Sequence, residues 1–302
     1  MARGSFTSGS VPGEGAAFLE ERQECHMATP EIIRRPGEIA QAYGPEVHIL
    51  DDLVALTWLA QLCAPKTRQP QFGNLIGMLY NQLVPRAIAA EYPRCTVSRE
   101  TRMTTTSGVL WTGDVVDPSV RTVVVDIARG GTHPSFLTSE LLAWTVGPDA
   151  FRRDLIVLSR KRGADGKVDG ADVLGDKRDG SIEGMIALVP DAMGATGGSM
   201  ATAFHGYEGR PTRVITLSLI VTPEFVRTMQ EVSVELDVPF SVWAFRLDRG
   251  MSHPEALAAI PGVFPSPVHP ESGTPFESGL DERQFIVAGG GDFGREMYLT
   301  SM

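Results

Sequence analysis

The chain has 302 residues, 42% of them hydrophobic and 21% charged, with a formal net charge of −10. That is an ordinary globular balance with ample length for a core, and it excludes a disordered or fibrous chain. An acidic chain argues against a dedicated nucleic-acid binder, which needs a basic face, but leaves room for a small anionic ligand held by local N–H groups and a few arginines.

The N-terminal stretch 1–45 reads as a flexible lead: Met1 to Glu14 is rich in Gly and Ser, and Pro30, Arg34, Arg35 and Pro36 interrupt regular structure. A vector-derived leader and a native extension both fit it. Cys25, Cys63 and Cys95 are odd in number and far apart, so neither a zinc site nor a disulfide framework is suggested, which suits a reducing cytoplasm. No run approaches the ~20 apolar residues of a membrane helix, and the N-terminus carries no apolar stretch like a signal peptide.

From His48 onward Ile49, Leu50, Leu53, Val54, Leu56 and Leu59 recur at helical spacing, and Leu75, Ile76, Leu79, Leu83, Val84 and Ile88 predict a second helix. Residues 64–70 connect the two. Five short apolar runs follow, over residues 122–127, 155–158, 184–189, 214–219 and 240–245, separated by helical stretches, with Pro223 placed as the first residue of one helix. Continuous apolar strands alternating with helices predict a buried, mostly parallel open sheet with helices on both faces, preceded by a two-helix N-terminal element. The polar, Gly-rich segment 160–181 reads as a β-arm or mobile flap, and the Pro- and Ser-rich segment 250–280 as a long surface insertion.

The most informative segment runs from Ile186 to Ser199. A buried strand ends in Asp191, a loop follows through Ala192, Met193, Gly194 and Ala195, and Thr196-Gly197-Gly198-Ser199 opens a helix. Glycines let the backbone approach an anion, their N–H groups point inward, and a helix N-terminus carries about half a positive charge. The Thr196 and Ser199 hydroxyls add hydrogen bonds, and Asp191 stands where open α/β sheets bind ligands, placed to accept from ribose hydroxyls. A strand-to-helix turn using Gly for geometry alone is the competing reading. The spacing fits neither a P-loop nor the GxGxxG of a nucleotide-binding dehydrogenase.

This segment resembles the 5-phosphoribosyl-1-pyrophosphate (PRPP) signature of the type I phosphoribosyltransferases, and is most similar to the uracil phosphoribosyltransferases. A second match stands near the C-terminus. Gln284-Phe285-Ile286-Val287-Ala288-Gly289-Gly290-Gly291-Asp292-Phe293-Gly294 resembles the uracil-binding loop of that family. The resemblance implies the type I fold with a flexible β-arm over residues 46–302, and transfer of the phosphoribosyl group from PRPP to uracil or a related base. It places Phe285, Ile286, Gly291, Asp292 and Phe293 at the base, and Asp292 also near the ribose or a Mg²⁺ ion. Arg129, after the run ending Ile127-Ala128, and Arg160, after Leu158-Ser159, resemble the family's pyrophosphate arginines. Arg129, Asp191 and Asp292 are thus the implied catalytic residues, with Arg129, Arg160 and residues 191–199 holding PRPP. The resemblance also implies a homodimer or higher homo-oligomer.

Departures from the family cluster on the acceptor side. Arg295-Glu296 replaces Asp-Arg, Ala288 and Gly290 replace Pro and Leu, Phe285 replaces Tyr, and Ser159 replaces the Tyr ahead of Arg160. PRPP binding is therefore the firmer expectation. A different acceptor and a non-catalytic PRPP- or nucleotide-binding regulator both remain open.

Overall fold

The computed structural model describes residues 30–162, 168–264 and 276–298. The chain opens with β1 (Val47–Ile49), α1 (Leu53–Leu62), α2 (Gln71–Glu91) and an antiparallel pair, β2 (Arg94–Arg99) and β3 (Trp111–Val116), flanking the short α3 (Thr104–Ser107). There follow β4 (Thr122–Ala128), α4 (Thr132–Thr145), β5 (Phe151–Arg162), β6 (Val168–Lys177), β7 (Ile186–Pro190), β8 (Met193–Gly194) and α5 (Gly198–His205). The chain continues with β9 (Arg213–Val221), α6 (Pro223–Leu236), β10 (Phe240–Leu247), α7 (Pro254–Ala258) and α8 (Phe293–Tyr298).

The main sheet runs β1-β10-β9-β7-β4-β5-β6, with β8 set beside β9. Every pairing in it is parallel except β5 with β6. The five apolar runs of the sequence are its five inner strands. β4, β7, β9 and β10 are buried over nearly their whole length, because helices cover both faces of the sheet. α1, α2 and α4 pack on one face around Leu79, Leu83, Leu188 and Leu217, while α5 and α6 pack on the other around Met200, Phe225, Val189 and Val214.

Two local differences from the sequence reading have simple causes. Val47–Ile49 is a strand rather than the start of α1: it pairs with Val242–Ala244 at the sheet edge, and the helix begins only after Asp52, whose carboxylate accepts the Ala55 N–H at 2.9 Å. The β2–β3 hairpin was not foreseen, because its strands are largely exposed and carry no apolar run. The 160–181 segment forms the β5–β6 arm, with residues 163–167 outside the described residues. The arm is bolted at its base, where Arg152 pairs with the buried Asp154 at 3.0 Å and donates to the Gly180 and Ser181 carbonyls.

Of the 250–280 insertion, residues 265–275 lie outside the described ones, as does 1–29 of the lead. The described flanks converge on the buried Glu277. Its carboxylate accepts from Tyr43 Oη at 2.7 Å, from Arg249 at 2.7 Å and from the Gly262 N–H at 3.0 Å. Burial pushes the Tyr43 phenol far above its usual range, and the Glu277 carboxylate beside it adds to the effect. Among the described residues no helix is long and apolar enough to cross a membrane.

Candidate functional site

The sheet order creates one topological switch point. From β4 the chain steps to β5 on one side, then returns to β7 on the other and builds outward through β9 and β10. The loops after β4 and β7 therefore diverge and leave a crevice at the carboxyl ends of the strands, where open α/β sheets bind ligands. Those loops are Arg129–Gly131 and Asp191–Gly197, the two that sequence reasoning selected.

Asp191 is held from below. Its N–H donates to the Leu217 carbonyl at 3.1 Å, and the same carbonyl accepts the hydroxyl of the fully buried Tyr80 from α2 at 2.9 Å. The Asp191 carboxylate leans against the neighbouring loop. A β-carbon at Gly130 would lie 2.7 Å from Asp191 Oδ1, so only glycine lets the two loops touch. The loops are thus one structure joined at Gly130 and Asp191.

The turn into α5 is equally constrained. Gly197 has φ +78°, and a β-carbon there would lie 2.9 Å from the Thr228 side chain on α6. Thr222, the N-cap of α6, donates from Oγ1 to the Ala195 carbonyl at 2.6 Å and fixes the loop's far side. Within the turn Thr196 Oγ1 accepts the Gly198 N–H at a long 3.3 Å. Asp191, Met193, Ala195 to Met200, Phe225 and Thr228 line a cleft of about 270 Å³ in front of this helix N-terminus. The buried Ala192 and Gly194 serve as backbone.

The C-terminal loop closes the crevice from the other side. A β-carbon at Gly294 would stand 3.5 Å from Gly130 N, 3.5 Å from Asp292 Oδ1 and 3.6 Å from Arg129 Cβ, so Asp292 and Arg129 share a corner. Asp292 is exposed, and its Oδ1 accepts the Arg295 N–H at 2.9 Å. Arg129 is exposed at the end of β4. Phe285 is half exposed, Ile286 packs on the core, and Gly291 has φ +88°. The Phe293 ring is not in the cleft: it is buried edge-on against Phe72 of α2, with centroids 5.2 Å apart, so only its backbone faces the crevice. Arg160 sits on β5, and its side chain lies outside the described ones. The peptides preceding Arg129 and Ala288 are cis.

Two supports were missed. Arg246 and Asp248, at the end of β10, form a bidentate pair at 2.7 and 2.9 Å. Together they hold the C-terminal loop by both backbone groups of one residue: Arg246 donates to the Gly289 carbonyl at 2.7 Å, and the Gly289 N–H donates to Asp248 at 2.7 Å. The signal available in the sequence was an Arg and an Asp two apart at a strand's ligand end. Gln284 also lines the cleft.

No family model matches the chain, and no curated protein matches it. Among solved structures, the AQ2163 protein from Aquifex aeolicus is similar at a TM-score of 0.57 and 16% identity, over 83% of this chain and 97% of the other. A hypoxanthine phosphoribosyltransferase from Trypanosoma cruzi aligns with a TM-score of 0.37 and 17% identity, over 58% of this chain and 74% of that one. A purine phosphoribosyltransferase from Pyrococcus horikoshii aligns with a TM-score of 0.29 and 15% identity, over 41% and 70%. The open, mostly parallel sheet with helices on both faces and an antiparallel arm is the α/β class expected from the sequence, and the likeness to the AQ2163 protein shows a shared fold.

Proposed function

We propose that this protein transfers the 5-phosphoribosyl group from PRPP to a nucleobase-like acceptor with release of pyrophosphate, and that uracil, giving UMP, is the acceptor to test first. The observation that carries the reading is the contact of Asp191 with Gly130 at the switch point, which sets the Arg129 loop against the loop that leads into the Thr196–Ser199 turn. In this reading the α5 N-terminus and the Thr196 and Ser199 hydroxyls hold the 5-phosphate. Asp191 accepts from the ribose hydroxyls.

An acceptor nitrogen attacks C1 as the C1–O bond to pyrophosphate breaks. The electron pair leaves with pyrophosphate, and the acceptor's N–H proton passes to solvent. Arg129, and Arg160 from the arm, neutralise the departing charge, where electrostatic help is largest. The acceptor lies between Phe285, Ile286, Gly291, the Phe293 backbone and Asp292, held in line with C1.

Mg²⁺ keeps several waters and binds through one or two carboxylates plus the substrate's phosphates. Asp191 and Asp292 fit that need, and when bound the ion would neutralise pyrophosphate charge. Among the described residues no cluster of three or more ligating side chains could hold an ion by itself, so the metal would arrive with PRPP.

A second reading keeps the chemistry and changes the acceptor. It is supported by the exposed Arg295 beside Asp292 and by the half-exposed Phe285 ring, which lacks a hydroxyl. We also propose a homodimer or higher homo-oligomer.

The decisive measurement is pyrophosphate release from Mg²⁺-PRPP with and without uracil. Uracil-dependent release with UMP formed is expected. PRPP binding without release under uracil would overturn that acceptor and favour the second reading. Failure to bind PRPP would overturn the transferase altogether.

A further inference from the structure

Gln284 combines three features. Its φ is +65°, and among the described residues only Asp237, at the C-terminus of α6, is another non-glycine with positive φ. Long side chains avoid this left-handed region, and residues held there need surroundings that over-determine them.

The surroundings are present. Leu280 and Ile286 form an antiparallel bridge, and Asp281 organises the turn between them. The Asp281 carboxylate accepts the Arg283 and Phe285 N–H groups, both at 2.9 Å, and its carbonyl accepts the Gln284 N–H at 2.8 Å. The turn so held places Gln284 in the wall of the cleft that Asp191, Thr196, Ser199 and Thr228 also line. The carboxamide itself has no hydrogen-bond partner among the described residues. Glycine would satisfy the turn without strain, so the fold does not require glutamine at this position.

We propose that Gln284 is a ligand-contacting residue of the phosphate turn. Its carboxamide N–H groups donate to the phosphate seated at Thr196–Ser199, from the side opposite the α5 N-terminus. A neutral amide suits the role, since it adds two donors without adding charge. Because Gln284 begins the acceptor-side loop, a phosphate held this way also fixes the start of that loop, so the phosphoribosyl donor organises the acceptor side before the acceptor enters. The identification of the phosphate as that of a phosphoribosyl group rests on the function proposed above.

The test is calorimetric titration of the full chain with ribose 5-phosphate, alongside thermal melting, for wild type, Gln284→Gly and Gln284→Glu. Gln284→Gly is expected to melt at or above the wild-type temperature while its affinity falls by about five-fold or more, the loss of an unshared hydrogen bond to a charged group. Gln284→Glu, which brings a carboxylate toward the phosphate, is expected to bind more weakly still. Wild-type affinity in Gln284→Gly would overturn this inference and leave the transferase reading standing, as would a lowered melting temperature with unchanged binding, the mark of a structural role. A wild-type protein that does not bind ribose 5-phosphate would overturn both.

Discussion

Single atoms decide much of the crevice. Gly130 and Asp191 touch because one residue lacks a side chain, and Gly289 is held because Arg246 and Asp248 grip its carbonyl and its N–H together. The grip makes a kinetic prediction. Asp248 is almost fully buried, so Asp248→Asn breaks the bidentate pair and leaves Arg246 without its counter-charge, at a cost of about 2 kcal/mol. The loosened loop is expected to raise KM for the acceptor by about ten-fold, since positioning is lost on that side alone. KM for PRPP should stay within about two-fold, because the phosphate turn is held separately by Thr222 and α6. Initial-rate kinetics in both substrates would check this, and an equal rise in both KM values would show a general loss of structure instead.

At the scale of elements, what was legible in the sequence follows from burial. β4, β7, β9 and β10 announce themselves because both faces are covered, leaving largely apolar runs such as Val214 to Val221, where only Thr216 and Ser218 are polar. The turn from β7 into α5 was legible because its glycines and hydroxyls stand contiguous in the chain. The β2–β3 hairpin was not, since Arg94–Arg99 alternates half-buried with exposed residues and lacks apolar character. The resemblance put Phe293 at the base through a loop read by its backbone and said nothing of the ring, whose packing depends on Phe72, more than 200 residues away in the chain. Arg246 and Asp248 looked like the polar end of a strand because their partner, Gly289, is distant in sequence.

One junction is open to a pH experiment. Asp126 on β4 is buried and accepts Thr132 Oγ1 from the first turn of α4 at 2.9 Å; desolvation raises its pKa despite that bond. A raised folded-state pKa means the folded chain holds the proton more tightly than the unfolded one. Its contribution to stability is therefore full below the unfolded value, about 3.9, and is lost as pH rises through the folded one. Asp126→Asn keeps an acceptor for Thr132 and removes the titration. Its melting temperature relative to wild type is expected to climb from pH 3 to pH 7, and a flat difference would mean that Asp126 ionises freely in the fold.

The whole molecule exposes apolar surface that a lone monomer would be expected to cover. On α4, Phe136 and Trp144 lie eight residues apart on one face, 51% and 92% exposed, and Arg153 of β5 stacks over Phe136 next to the partly exposed Leu155 and Val157. Near the hairpin tip Met103, Val109, Leu110 and Trp111 are also exposed. A two-stranded hairpin is marginal in water by itself, and apolar patches of this kind usually mark protein contacts. A second copy of the chain supplies both an apolar stripe and an apolar hairpin, which is what a two-fold interface needs, since each surface is presented twice. Trp144→Glu is then expected to weaken self-association by about 2 kcal/mol, roughly 30-fold in dissociation constant, as removal of a central aromatic anchor does. Sedimentation velocity across a concentration series would measure it. Each copy carries a net charge of −10, so mutual repulsion would oppose the apolar attraction, and added salt is expected to tighten any wild-type self-association by screening it. A protein that stays monomeric at every salt and concentration would leave the Trp144 face for a different partner, and association that weakens with salt would point to an interface built on ion pairs elsewhere on the surface.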